Sequence, residues 1–329
     1  MWLLYTNMLS IPDLIEKQIV VLTSENIKDI SLKNGNLLVK QDDKIINQIS
    51  CHKIFCIFAI GDFTFTTKII DEFIAHQISV YVISHNLKPR FIIWWTLEGN
   101  YLLRQKQYHA DLNQETQIAK HIITNKTTNQ LLLLKSIRDK DDKLKDTISK
   151  TKELIAKIET IESDDSLRGI EWSISKLFFS GYFKEIWRYR RLPRTRADIP
   201  NFLMDIGYTY LYNFIEANLN LYGFDVYKGI YHKLFYERKS LVCDFVEPFR
   251  SIVDHKIRKL YNLWQINEKD FKLVKWEYTL SRDKRNLYTK FFLETLMEYK
   301  IPIFSYVKDY YRAIMNPNNP LPVFNFKEE

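Results

Sequence analysis

The chain has 329 residues, and its 48 lysines and arginines exceed its 40 acidic residues for a formal net charge of +8. Hydrophobic residues make up 46% and aromatic residues 15%, which excludes an intrinsically disordered chain. The apolar runs fall short of the roughly 18 residues of a membrane-spanning helix, and residues 1–4 do not resemble an export signal. Three cysteines without a Cys-x-x-Cys pair predict neither a disulfide framework nor a thiolate zinc site. We therefore expect a protein of a reducing cytoplasm.

Short apolar clusters rich in β-branched residues follow one another in the first quarter of the chain and predict strands. They cover residues 19–22, 30–32, 37–39, 45–49, 54–60 and 80–83. Turn-forming residues separate them, notably at 33–36, and the segment 66–76 predicts a short helix. We expect an α+β protein in which residues 1–90 form a small, mostly β, sandwich-like amino-terminal domain.

From about Gln114 the apolar residues recur at intervals of three and four, which predicts helices. A second helix is expected over 146–161, and the polar break at 162–165 offers N-cap residues for a third. We expect 91–112 to be a linker and 113–329 to form a larger, all-α carboxyl-terminal domain. Its proline-rich tail, 316–329, ends in hydrophobic residues and is expected to dock onto a partner or a second copy of the chain.

One carboxylate is predicted on the buried face of a helix that begins near Leu167. The apolar residues with helical spacing are Leu167, Ile170, Ile174, Leu177 and Phe178. At about 100° per residue, Glu171 projects on or beside that face, whereas Lys176 points the opposite way. Burying an ionised carboxylate is costly unless it is paired or bound to a metal. Glu171 is therefore either half of a buried salt bridge, for example with an arginine, or part of a functional site.

A turn punctuated by glycines, residues 223–232, ends in His232. The imidazole is a candidate ligand or proton carrier. A single histidine beside aromatic residues is nevertheless more often a hydrogen-bonded structural residue. The turn alone leaves both interpretations of His232 open.

Two carboxylates, Asp244 and Glu247, are three residues apart in the segment 240–250 and share one face of a predicted helix. The same spacing fits a capping box, with Asp244 as the N-cap and Glu247 at the third helical position. Pro248 is typical of a first helical turn. The spacing does not distinguish a functional pair from a helix cap.

The strongest sign of a partner is an arginine-rich run that comprises Arg188, Arg190, Arg191, Arg194 and Arg196. Trp187 and Tyr189 lie at its start, and no acidic residue interrupts it. Guanidinium groups match phosphate oxygens, and both guanidinium planes and aromatic rings stack on unpaired bases. A merely solvated face would intersperse acidic residues. The run therefore predicts a nucleic-acid contact.

Taken in order, these segments resemble the family of CRISPR-associated protein one, the endonuclease that inserts new spacers into CRISPR arrays. The matching stretches are Gly169-Ile170-Glu171 with Phe178-Phe179, similar to G-x-E and an aromatic pair; 198–203 with Gly207-Tyr208; 223–232, similar to GLDP-x-x-GFLH; and 240–250, similar to SLV-x-D-x-x-EPFR. Arg104, Gln105, Ala119, Lys126, Asn129 and Gln130 are similar to the family's linker helices. The chain departs from the pattern at Trp172, Phe224, Val226, Ile230 and Tyr231, without loss of a ligand.

The resemblance implies that Glu171, His232 and Glu247 are catalytic metal ligands, with Asp244 close by. Two carboxylates and one imidazole make a mixed oxygen and nitrogen site that suits Mn²⁺ or Mg²⁺. The implied chemistry is attack of an oxygen nucleophile on a DNA phosphate. A DNA 3′-hydroxyl would give strand transfer into the end of a CRISPR repeat, and water would give cleavage.

The resemblance also implies an assembly in a prokaryotic cytoplasm, because integration at both ends of a repeat needs two active sites. The expected partners are double-stranded and branched DNA (protospacer and CRISPR repeat), a second copy of the chain in a homodimer, and the small ferredoxin-like CRISPR-associated protein two, with no membrane. The candidate phosphate contacts are Arg188, Arg190, Arg191, Arg194, Arg196, Lys233, Arg238, Lys239 and Arg250.

Three other functions stay open on the sequence alone. A non-catalytic DNA-binding scaffold would use the same arginine run without requiring Glu171, His232 and Glu247 to converge. A structural or interaction protein would hold Glu171 in a salt bridge and use Asp244 as a cap. An unrelated metal phosphoesterase would prefer small phosphate esters to DNA.

Overall fold

The amino-terminal third alternates short strands with two helices. A computed structural model describes residues 9–24, 27, 29–42, 44–93, 99–184, 186 and 191–327. The elements are α1 (Ile11–Glu16), β1 (Gln18–Thr23), β2 (Asp29–Lys33), β3 (Asn36–Gln41), β4 (Lys44–Ser50), β5 (Ile54–Ile60), α2 (Thr67–Ala75), β6 (Ser79–Ile83) and β7 (Pro89–Ile93). The β2–β3 hairpin turns at Asn34 and Gly35, whose φ angles of 51° and 70° suit a two-residue turn.

The strands form two sheets that share a core. The first sheet has the order β1-β5-β6-β7 and is parallel except for the antiparallel β6–β7 pair. The second is the antiparallel meander β2-β3-β4. Val20 and Val80 of the first sheet bury their side chains together with Leu37 of the second and Phe73 of α2. The predicted β-rich amino-terminal region is confirmed.

The rest of the chain is mostly helical, which confirms the α+β class. The helices are α3 (Tyr101–Tyr108), α4 (Leu112–Ser136), α5 (Asp142–Lys157), α6 (Asp164–Tyr182), α7 (Ile199–Tyr222), α8 (Ser240–Val246), α9 (Arg250–Asn262), α10 (Arg285–Glu298) and α11 (Lys300–Met315). Ser163 caps α6 from within the predicted polar break. Helix α5 begins earlier than predicted because the side chain of Asp141 caps it at Leu144. No helix in the described ranges is long and apolar enough to cross a bilayer.

A hairpin, β8 (Phe271–Val274) and β9 (Glu277–Leu280), lies between the helices and adds to the predicted helical domain. The sequence carries no signal for it. Its turn residues Lys275 and Trp276 have positive φ angles of 49° and 66°, in place of the Asn or Gly that such a turn favours.

The two central strands of the four-stranded sheet, β5 and β6, are buried on both faces. Every residue of β5 is buried. On the side opposite the meander, Phe58 packs edge-on against Tyr210 of α7, with ring centroids 5.0 Å apart, and Phe55 lies 5.1 Å from Phe214. These residues belong to a core that continues through the helical region. The strands and the helices are therefore packed into a single structural unit.

The proline-rich tail packs against helix α4 of the same chain. Phe324 and Phe326 are each 6% exposed, and their backbone groups pair with Asn125 and Asn129 of α4. The described residues of this segment therefore find contacts within the chain, and docking of the tail onto a partner or a second copy stays a prediction.

Candidate active site

Glu171 lies on α6 at the edge of its buried face. The apolar residues of this face, each at most 1% exposed, are Leu167, Ile174 and Phe178. The Glu171 side chain is 21% exposed and accepts a hydrogen bond from Ser175 Oγ at 3.1 Å. Its Oε1 also accepts from Lys126 Nζ. The salt bridge that was one interpretation of Glu171 is present, with a lysine as the partner.

Lys126, on α4, lies between two carboxylates. Its Nζ pairs with Glu171 and lies 2.7 Å from Glu247 Oε2. Burial lowers the pKa of Lys126, but the charges of Glu247 and Glu171 outweigh burial and raise that pKa above its ordinary value. This pairing of Lys126 with two glutamates is not evident from the sequence. The available signal was a lysine flanked by Asn125 and Asn129 on the inner face of a helix.

Glu247 begins a one-turn 3₁₀ helix, Glu247–Phe249, between α8 and α9. Its side chain is 4% exposed, and Arg250 Nε lies 3.0 Å from its Oε2. Burial alone would raise the pKa of Glu247, but the charges of Arg250 and Lys126 outweigh burial and lower this pKa to about 2. Glu247 is therefore an anion at neutral pH despite its burial.

Asp244 is a fully buried carboxylate that closes the turn around His232. Its Oδ2 accepts the N–H groups of Ile230 and Tyr231 at 2.6 and 3.2 Å. Its Oδ1 accepts the N–H of His232 at 2.9 Å and lies 2.7 Å from the ring Nδ1. A proton held on Nδ1 leaves the lone pair on Nε2 for a ligand. Because Asp244 lies inside α8, which begins at Ser240, the capping-box interpretation is wrong.

Helix α3 lies inside the segment predicted as a linker. It binds the backbone of the turn that leads to His232. Gln107 exchanges two hydrogen bonds with the backbone of Asp225: Nε2 donates to the carbonyl at 3.2 Å, and Oε1 accepts the N–H at 3.0 Å. Arg104 donates to the carbonyl of Gly223 at 3.2 Å. These bonds fix the position of the turn relative to the rest of the site.

Glu171, His232 and Glu247 line one open pocket of about 510 Å³. Its other walls are Arg168, Trp172, Tyr231, Lys233, Leu234, Phe235 and Arg238. Within the described residues, no three His, Cys, Asp or Glu side chains are arranged to hold a metal ion as they stand. The donor chemistry of the pocket nevertheless fits a hard divalent cation, because two carboxylates and an imidazole are suitable ligands.

Some of the predicted phosphate contacts lie at the surface. Arg194 is exposed, and Lys233 and Arg238 line the pocket. The Lys233 side chain is 44% exposed and pairs with Asp164 at 3.0 Å. Arg188 and Arg190 lie outside the described residues.

Four other predicted contacts are engaged inside the molecule. Arg191 pairs with Asp205, Lys239 with Glu216 and Arg250 with Glu247. Arg196 is 6% exposed and donates to the backbone carbonyls of Asn86 and Leu87. The arginine run is therefore less exposed than the sequence predicts. Arg191 and Arg196 bind acceptors from other segments of the chain, and the sequence does not reveal these pairings.

Comparison with known proteins agrees with the motifs of the pocket. The profile described as CRISPR associated protein Cas1 matches residues 20–294. The chain is 33% identical over 222 residues to "CRISPR-associated endonuclease Cas1 1" of Thermodesulfovibrio yellowstonii, covering 64% of this chain and 70% of that protein. It resembles a chain of a Cas6-RT-Cas1–Cas2 complex, with a TM-score of 0.79 and 23% identity, covering 95% of this chain and 36% of that chain. It also resembles a casposase bound to an integration product, with a TM-score of 0.76 and 20% identity over 92% of each chain.

The matched region runs from the first strand to α10 and contains every residue of the pocket. The resemblance inferred from the motifs is confirmed, and this chain belongs to the CRISPR-associated protein Cas1 family.

Proposed function

We propose that this protein is a metal-dependent DNA endonuclease and strand-transfer integrase that inserts protospacer DNA into a CRISPR array, as part of antiviral defence. The observation that carries the proposal is the pocket shared by Glu171, His232 and Glu247, with Asp244 orienting the imidazole. Two relatives support the reaction class: one is named an endonuclease, and one of similar fold is a casposase bound to an integration product.

We assign the carboxylates of Glu171 and Glu247 and the Nε2 of His232 as the groups that hold Mn²⁺ or Mg²⁺. When bound, the cation polarises the scissile phosphate and stabilises the negative charge that develops on its oxygens. The position of the Lys126 ammonium supports the assignment, because the gap between the two glutamates favours positive charge.

The chain's own residues orient these groups. Asp244 Oδ1 holds the proton of His232 on Nδ1, so that Nε2 keeps its lone pair. Arg250 holds the Glu247 carboxylate while its guanidinium lies 4.6 Å from the centroid of the Tyr208 ring. Lys126 offsets the repulsion between the two glutamates. These contacts restrict the orientation of the three proposed ligands.

Two nucleophiles use this one pocket. A DNA 3′-hydroxyl that attacks a phosphate at a repeat end forms a new phosphodiester bond with the repeat strand. The 3′-oxygen that was bonded to this phosphate is the leaving group. Water in the same position cleaves the strand. The basic side chains proposed to contact the DNA phosphates are Lys233 and Arg238 at the pocket, Arg194 at the surface, and Arg188 and Arg190 outside the described residues.

We further propose that the protein works as a homodimer with the small ferredoxin-like CRISPR-associated protein two, in a prokaryotic cytoplasm. Both ends of a repeat must react, and one chain offers one such pocket among its described residues. A structure of similar fold is a Cas6-RT-Cas1–Cas2 complex, which supports a Cas2 partner. Protospacer and repeat DNA complete the assembly.

Cleavage and strand transfer on a branched DNA, measured with Mn²⁺, with Mg²⁺ and with EDTA, test the proposal. We expect products only with a divalent cation. His232→Ala should reduce product formation at least 100-fold while DNA affinity and thermal stability persist. His109→Ala, which changes an exposed histidine of α3's carboxyl-terminal end, is the matched control.

The alternatives predict different results. DNA binding without products under any metal condition, in the presence of the partner protein, would support a non-catalytic scaffold instead. Rapid hydrolysis of small phosphate esters with inert DNA would support an unrelated phosphoesterase.

A further inference from the structure

Residues 321–327, here called the tail segment, lie along α4 without joining a sheet. Asn125 Oδ1 accepts the N–H of Phe324 at 2.9 Å, and Asn125 Nδ2 donates to the Phe324 carbonyl at 2.6 Å. One turn further along α4, Asn129 Oδ1 accepts the N–H of Phe326 at 2.8 Å. Two amides at i and i+4 lie on the same helix face. They pair with alternate residues of the tail segment, as a neighbouring strand would.

These contacts are buried. Asn125 is 4% and Asn129 0% exposed. The Phe324 ring lies 4.4 Å from the Phe249 ring, and the Phe326 ring lies 5.1 Å from the His255 ring, both measured between centroids. Without the tail segment, the two asparagines would lose these hydrogen-bond partners, and the rings of Phe249 and His255 would lose the side chains that cover them.

The contacts of the tail segment are connected through hydrogen bonds to the segments that carry the proposed metal ligands. Asn129 Nδ2 donates both to the Phe324 carbonyl at 2.9 Å and to the Pro248 carbonyl at 3.1 Å. Pro248 directly follows Glu247. Lys126, the neighbour of Asn125, pairs with Glu171 and Glu247. The tail segment is therefore bonded to the helical turn that carries Lys126 and to the 3₁₀ turn that carries Glu247.

We propose that the tail segment is a positioning element of the active site. Phe324 and Phe326 act through Asn125 and Asn129, and they hold Lys126 and Glu247 in place relative to Glu171. The side chains of these two phenylalanines and two asparagines do not line the pocket. They are therefore positioning residues that do not touch DNA at the reacting phosphate. This inference rests on the proposed function, because its readout is the activity of the same pocket.

The test compares the full chain with a chain that ends at Pro320 and with Asn125→Ala. Asn125 contacts the tail segment without bonding to the turn of Glu247. Val323→Ala is the matched control, because Val323 lies in the tail segment and is 57% exposed. Strand transfer is measured as kcat and as KM for branched DNA, at a temperature where circular dichroism shows each variant folded.

We expect the truncation and Asn125→Ala to lower kcat at least 10-fold with KM within 2-fold of the full chain, and Val323→Ala to match the full chain. A synthetic peptide of residues 321–329, added in trans, should restore the kcat of the truncated chain and should restore it less with Asn125→Ala present. Because circular dichroism shows each variant folded at the assay temperature, a lower kcat reports on the pocket and not on a smaller fraction of folded chains.

Two results would overturn the inference and leave the proposed function standing. One is a truncated chain with the kcat of the active full chain. The other, which decides the matter where truncation prevents folding, is a folded Asn125→Ala variant with unchanged kcat. A full chain that gives no metal-dependent product would instead overturn the proposed function, and this inference with it.

Discussion

Asp244 serves two purposes with one carboxylate. It satisfies three consecutive backbone N–H groups, and it selects the tautomer of the His232 ring. The first purpose is structural and the second chemical, so a substitution of Asp244 affects both. A carboxylate that orients a ligating histidine typically contributes 10–100-fold to metal affinity or activity.

Asp244→Asn is expected to lower strand-transfer activity by about 10–100-fold. It should also lower the free energy of unfolding by about 2 kcal/mol, because the new NH₂ group faces N–H groups that need an acceptor. Activity assays and urea unfolding measure the two effects. Glu237→Gln makes the same change at an exposed position of the same loop and should be silent. Equal activity of wild type and Asp244→Asn would contradict the assignment of Asp244.

Asp254 should make the free energy of unfolding depend on pH between pH 5 and 7.5. This residue is 1% exposed and accepts a hydrogen bond from Tyr208. Burial raises the pKa of Asp254 to about 6, and the opposing effects of Tyr208 and Arg250 only partly compensate. Because the folded pKa is above the unfolded one, Asp254 favours the folded state at low pH, and this contribution is lost as the pH rises through 6.

Asp254→Asn removes that dependence. We expect the free energy of unfolding of the variant, relative to wild type, to increase by about 1.5 kcal/mol between pH 5 and pH 7.5. Urea unfolding at the two pH values measures it. Asp309→Asn, at a half-exposed position of α11, should show no such change. A difference that stays constant with pH would contradict the raised pKa.

Helix α3 shows that an element can matter through its polar face. Its amphipathic pattern is weak because Gln107 and Arg104, rather than a row of apolar residues, face the chain before His232. Periodicity therefore could not detect it, and the segment read as a linker. The element's contribution is to hold a turn in place.

Gln107→Ala is expected to loosen that turn. Loss of both hydrogen bonds to Asp225 should accelerate amide hydrogen exchange in residues 223–232 by about 5- to 30-fold, which corresponds to about 1–2 kcal/mol of local stability. Gln105→Ala, at an exposed position of the same helix, serves as the control. Unchanged exchange in 223–232 would show that α3 does not position the turn.

The sequence predicts elements well where periodicity is strong. Strands β1 to β6 follow from short apolar clusters rich in β-branched residues, and helix α6 follows from three-to-four spacing. Strand β7 is missed because it is a half-exposed edge strand, and the β8–β9 hairpin because its turn lacks glycine. The three proposed ligands share one pocket, but the place of Lys126 depends on how α4 packs against α6, which no local pattern encodes.

At the scale of the whole molecule, the strands and the helices share a core. Phe58 of β5, fully buried, packs against both Tyr81 of its own sheet and Tyr210 of α7. Unfolding the β-rich region would expose the inner face of α7, and the reverse also holds. The molecule should therefore unfold as a unit even though its two regions differ in secondary structure.

Phe58→Ala tests this coupling. We expect it to lower the free energy of unfolding by about 3–5 kcal/mol and to shift one common transition seen by calorimetry and by near-ultraviolet circular dichroism. Phe91→Ala, at a position 55% exposed, should change stability by less than about 0.5 kcal/mol. Two separate transitions, of which only one moves, would contradict a shared core.

We propose above all that Glu171, His232 and Glu247 together bind one catalytic divalent cation. The most direct measurement is anomalous diffraction from crystals of the full chain grown with Mn²⁺. We predict a manganese peak within about 2.0–2.6 Å of donor atoms from all three residues. Diffraction that shows no peak there at saturating Mn²⁺, with Lys126 still bridging the two glutamates, would contradict the claim.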